Sequence, residues 1–597
     1  VRSRTVLAVV ALGVALVLPS VRAGFFADDY LQIAQLEGWG ANPGSPLDLY
    51  SFVPHDRARV AALIDLGAPY FIAPKLELHF LRPLSSALMA LDHALWGRRP
   101  LPYHVHTLLW YAALLALVGA LYRRAAPRSL ALLAFLIFCL DDGHALSVTF
   151  IAARNAVVSC VLVWLGLGAH LRWRIHDWRT GAWLAPLLGA LGLAAGEMGL
   201  GALAYLVAWE LCERRPGWRR ALVPTALLVA GYFIVYGLLG GGAHASGAYL
   251  DPFGDPLGFL AALPARLALL FGNLVLRTPI DSAFLDDRLR TPLIAVGVAA
   301  AAVVALWLPH ALRRLPPDEA ARVRWLGLGA AGALVAGTPG ALGDRLLFAA
   351  GLGGSVVVAA LLRDAWQLFR ARRARLLAAL ALLSFGLPNL AIAAVALPGK
   401  TVFFAKMFDG YRRLAREAEI AAPVPARVVV VALDDLFPLV LLDVRALEQG
   451  RTPEELRPIA RGEGGTLAGP DTLGKLGGGV LSMSAAAHRL RRTGADTLEL
   501  STPDGTMLDG AWPALFRARS MPLRRGAVVR TSYMIATVLD DRAGRPTRVA
   551  FQFTKPVDDP SLIFLMFRDG GLRRLSMPPI GTDLTLPRLK PFEIAMH

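Results

Sequence analysis

The chain has 597 residues, of which 55% are hydrophobic and only 18% charged, and its mean hydropathy is +0.50. Soluble domains carry charge on about a quarter of their residues, so this balance excludes a purely soluble protein and makes lipid the solvent for much of the chain. The formal charge of +17 does not mark a nucleic-acid partner, because the arginines punctuate apolar runs instead of gathering on one compact face.

The first element is an apolar run over residues 5–21, preceded by Arg2 and Arg4. Val21-Arg22-Ala23 would pass as a signal-peptide cleavage site. The topology of the remaining chain closes better if the run is kept as a first span. Basic clusters then recur at Arg123/Arg124/Arg128, Arg172/Arg174/Arg179, Arg214/Arg215/Arg219/Arg220, Arg313/Arg314/Arg322/Arg324 and Arg363/Arg370/Arg372/Arg373/Arg375. Lys and Arg are retained on the cytoplasmic side of a membrane. Placing every cluster inside, with the N-terminus, yields spans at 103–122, 129–140, 148–171, 182–195, 199–212, 221–240, 292–312, 325–337, 346–362 and 376–397.

The expected fold is therefore an α-helical polytopic membrane protein of about eleven spans with a C-terminal soluble, mixed α/β and β-rich domain. The membrane part covers residues 1–397 and the soluble part 398–597, with the boundary near Pro398-Gly399-Lys400. Two large outer loops are expected. Loop 24–102 mixes Trp, Tyr, Pro and charge, which suits amphipathic helices at headgroup level. Loop 241–291 contains an apolar stretch, 257–276, interrupted by Pro264 and Arg266, which reads as interfacial or re-entrant. The orientation places the C-terminal domain outside, as in a bacterial-type inner (cytoplasmic) membrane protein with a periplasmic domain. The three cysteines, Cys139, Cys160 and Cys212, all lie in apolar segments and make no disulfide framework.

In the C-terminal domain, 427–433 is a β-branched run ending at Asp434-Asp435, with an apolar helical stretch behind it. Strands are expected at 497–501, at 527–539 and 547–554 around a hairpin turn, and at 561–568 before Gly570-Gly571. No catalytic signature stands out here, so a binding or packing module is expected.

Ionisable groups at membrane depth are costly and are functional candidates by default. Asp28 and Asp29 follow the first span, where they could cap a helix or supply a base. Asp141 and Asp142 leave the third span on the same side and could share a divalent metal with them. Arg82, Arg154 and Arg345 break the positive-inside pattern. Each needs an anion, either a lipid phosphate or an ion-pair partner such as Asp344 for Arg345 or Glu197 for Arg154. Glu197 stands at the apex of a short hairpin, and His104 and His106 open the second span.

In order along the chain, Phe26-Ala27-Asp28-Asp29-Tyr30, Arg82-Pro83-Leu84, Tyr103-His104, Phe150 to Asn155 around Arg154, Gly196-Glu197 and Asp344-Arg345-Leu346-Leu347-Phe348 form a pattern. It resembles the multi-span glycosyltransferases of the GT-C class, over about residues 20–365, and is most similar to protein O-mannosyltransferase-like enzymes. Gly196 stands where relatives often carry Lys, and Thr107 where Asn often follows the His. The resemblance implies transfer of a hexose-type sugar from a polyprenyl-phosphate donor to a hydroxyl acceptor on protein, lipid or glycan at the outer face. It implies Asp28, supported by Asp29, as the base, and Arg82, Arg154 and Arg345 as ligands of the donor phosphate, with His104 and Glu197 orienting them. A contrasting expectation is a non-catalytic membrane scaffold in which the same charges are caps and ion pairs.

Overall fold

The computed structural model describes residues 3–38, 45–53, 60, 63–64, 68–420, 426–448 and 476–589. Its helices begin with α1 (Ser3–Val17), α2 (Asp28–Leu36), α3 (Pro83–Trp96), α4 (Pro100–Ala125), α5 (Ala131–Cys139), α6 (Asn155–His176), α7 (Thr180–Ala195) and α8 (Met198–Glu213). They continue with α9 (Trp218–Leu238), α10 (Pro256–Leu276), α11 (Asp287–Arg313), α12 (Pro317–Gly337), α13 (Phe348–Arg370), α14 (Ala393–Glu417) and α15 (Phe437–Glu448). The local signals are legible. Proline opens α3, α4, α10 and α12, where a missing N–H costs nothing. Basic residues close α4, α6, α11 and α13, where they complement the helix dipole.

Among the described residues, eight segments are long and apolar enough to cross a bilayer, and seven of them contain α1, α4, α6, α9, α11, α13 and α14. The eighth is Pro256–Leu276. The protein is thus an integral membrane protein of many helices. The count of about eleven is not reached by length alone: α5 has 9 residues, and α7 and α8 have 16 each. At 1.5 Å per residue the latter reach only about 24 Å. Of these, α5 and α8 pack against α13, which is buried along nearly its whole length, while α7 packs against α6 and leaves Trp183 and Leu187 exposed. Close helix approach is made by small residues: a Cβ on Gly353 of α13 would meet the Leu326 carbonyl of α12 at 2.0 Å. The Gly-rich start of α13 is held by tyrosine hydroxyls. Tyr205 donates to the Ala349 carbonyl (2.8 Å), and Tyr122 donates to that of Leu352 (2.5 Å).

The basic helix ends meet one another at one end of the bundle. Arg123 reaches Ser3, Arg322 the Ala126 carbonyl, Arg174 pairs with Glu210 and Arg314 with Asp364. At the other end the loops meet the C-terminal domain. Helix α10 stays close to that end: Arg266, at its middle, donates to the carbonyls of Gly340 (2.6 Å) and Ala248 (2.9 Å).

Three short strands, β1 (Ser51–Val53), β2 (Glu77–His79) and β3 (Gly242–His244), form an antiparallel sheet that ties the two large loops together. In the C-terminal domain, β4 (Ala426–Ala432) pairs in parallel with β5 (Leu476–Ser482) and with β11 (Leu562–Arg568), whose other edge carries β12 (Gly571–Arg574). A central parallel strand is covered on both faces, which is why its sequence is an unbroken apolar run from Val428 to Ala432. A six-stranded antiparallel sheet has the order β13-β6-β7-β10-β9-β8. Its strands are β6 (His488–Arg492), β7 (Thr497–Ser501), β8 (Val528–Arg530), β9 (Met534–Arg542), β10 (Arg545–Phe553) and β13 (Asp583–Leu586). The β9–β10 hairpin closes on Ala543-Gly544, with φ of 52° and 78°, the left-handed pair that a two-residue turn demands.

Two expectations are corrected here. Loop 24–102 does not lie apart at headgroup level: its Tyr30, Ile33, Leu49, Tyr70 and Phe71 share one core with β4, β7 and β10. Tyr70 packs edge-on against Phe551 at 5.4 Å, and Arg517 donates to the carbonyls of Phe71 (2.6 Å) and Ile72 (3.0 Å). Aromatic residues mixed with charge fit a water–lipid interface and a protein–protein seam equally well, and here they serve the seam. Second, the chain does not break at 398–400. Helix α14 runs through Pro398 to Glu417 on a buried seam of Leu397, Thr401, Phe408, Tyr411 and Ala415, a helical spacing. The soluble fold begins at β4.

Candidate active site

The segment after α1 is held from several sides. His104 in α4 places its Nε2 3.1 Å from the Gly24 carbonyl, which can only accept, so the ring proton sits on Nε2. Phe26 stacks on Phe408 of α14 at 4.0 Å. Asp29 is fully buried, and each of its oxygens accepts a backbone N–H: that of Phe26 (2.9 Å) and that of Ala152 (2.8 Å), in the turn before α6. Between these anchors Ala27 takes φ 37°, a conformation that costs about 1–3 kcal/mol in a residue with a Cβ. The anchors thus fix the direction in which the next residue, Asp28, leaves the chain.

Asp28 is half-buried at the first turn of α2, and its carboxyl makes no hydrogen bond or ion pair among the described residues. Burial pushes it up to about 6, against the opposing pull of Arg345 and Arg82. Burial pushes Asp29 further, to about 8, against its two N–H donors and Arg154, and the neighbouring Asp28 charge adds to the rise. At neutral pH the ionised member of the pair is Asp28, the one that is accessible.

Two arginines face Asp28. Arg82 precedes α3, donates from Nε to Glu197 Oε2 (2.8 Å) and lies over the rings of Tyr50 (4.8 Å) and Phe80 (4.7 Å). Glu197 caps the α7–α8 hairpin, which Ser85 ties to α3 through the Ala195 carbonyl (2.7 Å). Arg345 is half-buried, and among the described residues it makes no hydrogen bond or ion pair. An unbonded guanidinium beside a carboxylate, with a second arginine next to it, is a place for an anion.

Arg154 is placed differently from the other two. It is buried against Asp92 of α3 (2.7 Å), whose other oxygen contacts His106 Nδ1 (2.7 Å). Trp110 donates to His106 Nε2 (3.0 Å), so the imidazole proton is on Nδ1 and is given to Asp92. Arg154 therefore braces the turn that holds Asp29 and is not turned toward Asp28. The two ion pairs weighed from sequence, Asp344 with Arg345 and Glu197 with Arg154, are replaced by Asp344 with Lys400 (2.6 Å) and Glu197 with Arg82 (2.8 Å).

The second acidic pair is neutralised by cations. Asp141 contacts Arg277 (2.5 Å), and Asp142 contacts Lys400 (2.6 Å). Among the described residues no group of three His, Cys, Asp or Glu side chains comes together to hold a metal. The donor set at Asp141 and Asp142, each oxygen cluster facing a cation, does not fit a divalent ion.

Asp92 and Lys400 were missed by sequence reasoning. The signal existed for both: each is an ionisable residue isolated in an apolar helical run, Leu88 to Trp96 for one and Leu397 to Phe404 for the other.

No protein-family model matches the chain, and no curated protein matches it. Among solved structures it is similar to ArnT from Cupriavidus metallidurans bound to undecaprenyl phosphate, at 13% identity over 74% of this chain and 85% of that one, with a TM-score of 0.40. It is also similar to the oligosaccharyltransferase of Archaeoglobus fulgidus tethered with an acceptor peptide, at 12% identity over 73% of this chain and 63% of that one, with a TM-score of 0.33.

Proposed function

We propose that the protein is a membrane glycosyltransferase of the GT-C type, which moves a hexose from a polyprenyl-phosphate donor to a hydroxyl acceptor at the outer face of a bacterial-type inner membrane. The observation that carries this reading is the unbonded pair of Asp28 and Arg345, with Arg82 beside them, at the end of the bundle covered by the soluble domain. A scaffold would be expected to close such charges into ion pairs.

In the proposed reaction Asp28 takes the proton of the acceptor hydroxyl, whose oxygen attacks the anomeric carbon in line. The bond from that carbon to the phosphate oxygen breaks, and the lipid phosphate leaves with the electron pair. Its added negative charge falls beside Arg345 and Arg82, donors already in place before the reaction. A carboxyl at about 6 is ionised at neutral pH and more basic than an ordinary aspartate, as a general base should be. His104 and Asp29 hold the segment that carries Asp28, Glu197 orients Arg82, and Arg154 braces the adjoining turn. The apolar helices would lodge the isoprenoid tail, and the soluble domain would present the acceptor on protein, lipid or glycan.

The test uses the full-length protein in membranes with a panel of labelled polyprenyl-phosphate hexoses and the Asp28→Asn variant. Transfer by the wild type and its loss in the variant support the reading. Undiminished transfer by Asp28→Asn removes the base assignment.

A further inference from the structure

Lys400 lies on α14, 2.6 Å from Asp142 Oδ2 and 2.6 Å from Asp344 Oδ2, with a third of its side chain exposed. It thereby joins two turns from distant parts of the chain. The first is 141–143, where Asp141 accepts the Gly143 N–H (3.0 Å) and contacts Arg277. The second is 343–345, where the Asp344 N–H is donated to Asp281 (3.1 Å). The two turns touch: a Cβ on Gly143 would sit 3.3 Å from the Asp344 carbonyl oxygen. The residue after Asp344 is Arg345, the cation that faces Asp28.

A nearly buried carboxylate takes a cation wherever one is within reach, because leaving it unpaired is costly. Asp344 is in contact with Lys400 across the turn, and Arg345 is the next cation along the chain. Lys400 holds Asp344, and among the described residues Arg345 is left without an internal partner.

We infer that Lys400 is a positioning residue that keeps Asp344 occupied so that Arg345 stays available to the phosphate of the lipid donor. The inference rests on the transferase reading for the identity of that anion. Without Lys400, Asp344 would draw Arg345 to itself and away from Asp28. A lysine in this position sets the donor site without touching the donor.

The test compares Lys400→Met, Lys400→Arg and the double variant Lys400→Met/Asp344→Asn with the wild type, all full-length and purified in detergent. Two readouts are taken: binding of undecaprenyl phosphate alone, and the KM for the sugar donor against kcat. The expected result for Lys400→Met is about a ten-fold weaker Kd for the lipid phosphate and a similar rise in donor KM, with acceptor KM unchanged. Lys400→Arg should retain most of the wild-type affinity. The double variant should recover at least half of the loss on a logarithmic scale, because the carboxylate that captures Arg345 is gone. A role in packing alone predicts no such recovery, so a double variant as weak as Lys400→Met overturns the inference, as does Lys400→Met with wild-type Kd and KM. If Lys400→Met does not fold, Asp142→Asn takes its place as a structural control. It leaves Lys400 on Asp344 and should bind lipid phosphate as the wild type does, and a ten-fold loss there overturns the inference. A wild type that binds no lipid phosphate defeats the transferase reading itself, which a failed rescue alone does not.

Discussion

Buried charge is treated in opposite ways at the two ends of the helix bundle. At the basic end Glu210 is fully buried and closed by His170 (2.7 Å) and by two bonds from Arg174 (2.7 and 3.2 Å). Asp364 is likewise closed by Trp307 (2.8 Å) and Arg314 (2.7 Å). At the other end Asp28 and Arg345 face each other without a bond, although closed pairs surround them at Arg154–Asp92, Arg82–Glu197 and Lys400–Asp344. Charges that serve the fold are matched pairwise. Under the proposed function, the two left unmatched, Asp28 and Arg345, are held for substrate, and the contrast marks the second end as the place to test for chemistry.

That contrast can be broken experimentally. The largest effect should come from Asp28→Asn, which removes the proposed base and should lower transfer by about 1,000-fold, within the range for general-base loss, with no loss of thermal stability. Glu210→Gln should do the reverse. Leaving the Arg174 and His170 site without its carboxylate should cost about 3 kcal/mol of stability, read as a drop in Tm or in the denaturant midpoint, with donor KM unchanged. A Glu210→Gln protein that is stable but defective in donor binding would erase the distinction between the two ends. Arg345→Gln should raise donor KM by about thirty-fold, the share of one charge-assisted contact, and leave Tm as it was. The smallest effect is the pH dependence. Because the Asp28 carboxyl sits at about 6 and must be ionised to act, kcat/KM should fall about ten-fold per pH unit below 6 and level off above it. Asp29, raised to about 8 and buried, should leave no inflection of its own, because it does not meet the acceptor. A profile that rises through 8 instead would move the base from Asp28 to Asp29.

Much of this was legible along the chain because it depends on local pattern. Arginines at helix ends, prolines at helix starts and the apolar run of β4 each follow from one element meeting its solvent. The out-of-place Arg345 and the acidic pair at Asp28 were also visible as exceptions to the charge rule. What was not legible was who pairs with whom. Arg154 and Arg82 look alike in sequence, yet one is closed off by Asp92 and the other borders Asp28. That difference is set by the way α3 meets the turn before α6 and packs against the α7–α8 hairpin, which no local spacing encodes. The seam between loop 24–102 and the soluble domain escaped for the same reason: Tyr30 bonds Glu448, 418 residues away.

That seam has a consequence in time. Asp28 and its loop are made several hundred residues before the strands against which the loop packs. The helices can enter the membrane one after another, but the face that carries Asp28 has no finished support until β10 and β11 have emerged. A chain stalled or cut anywhere before them would sit in the bilayer with its charges unaligned. Under the proposed function, sugar transfer would then begin only on molecules that carry these strands, and shorter copies would not draw on the lipid-linked pool.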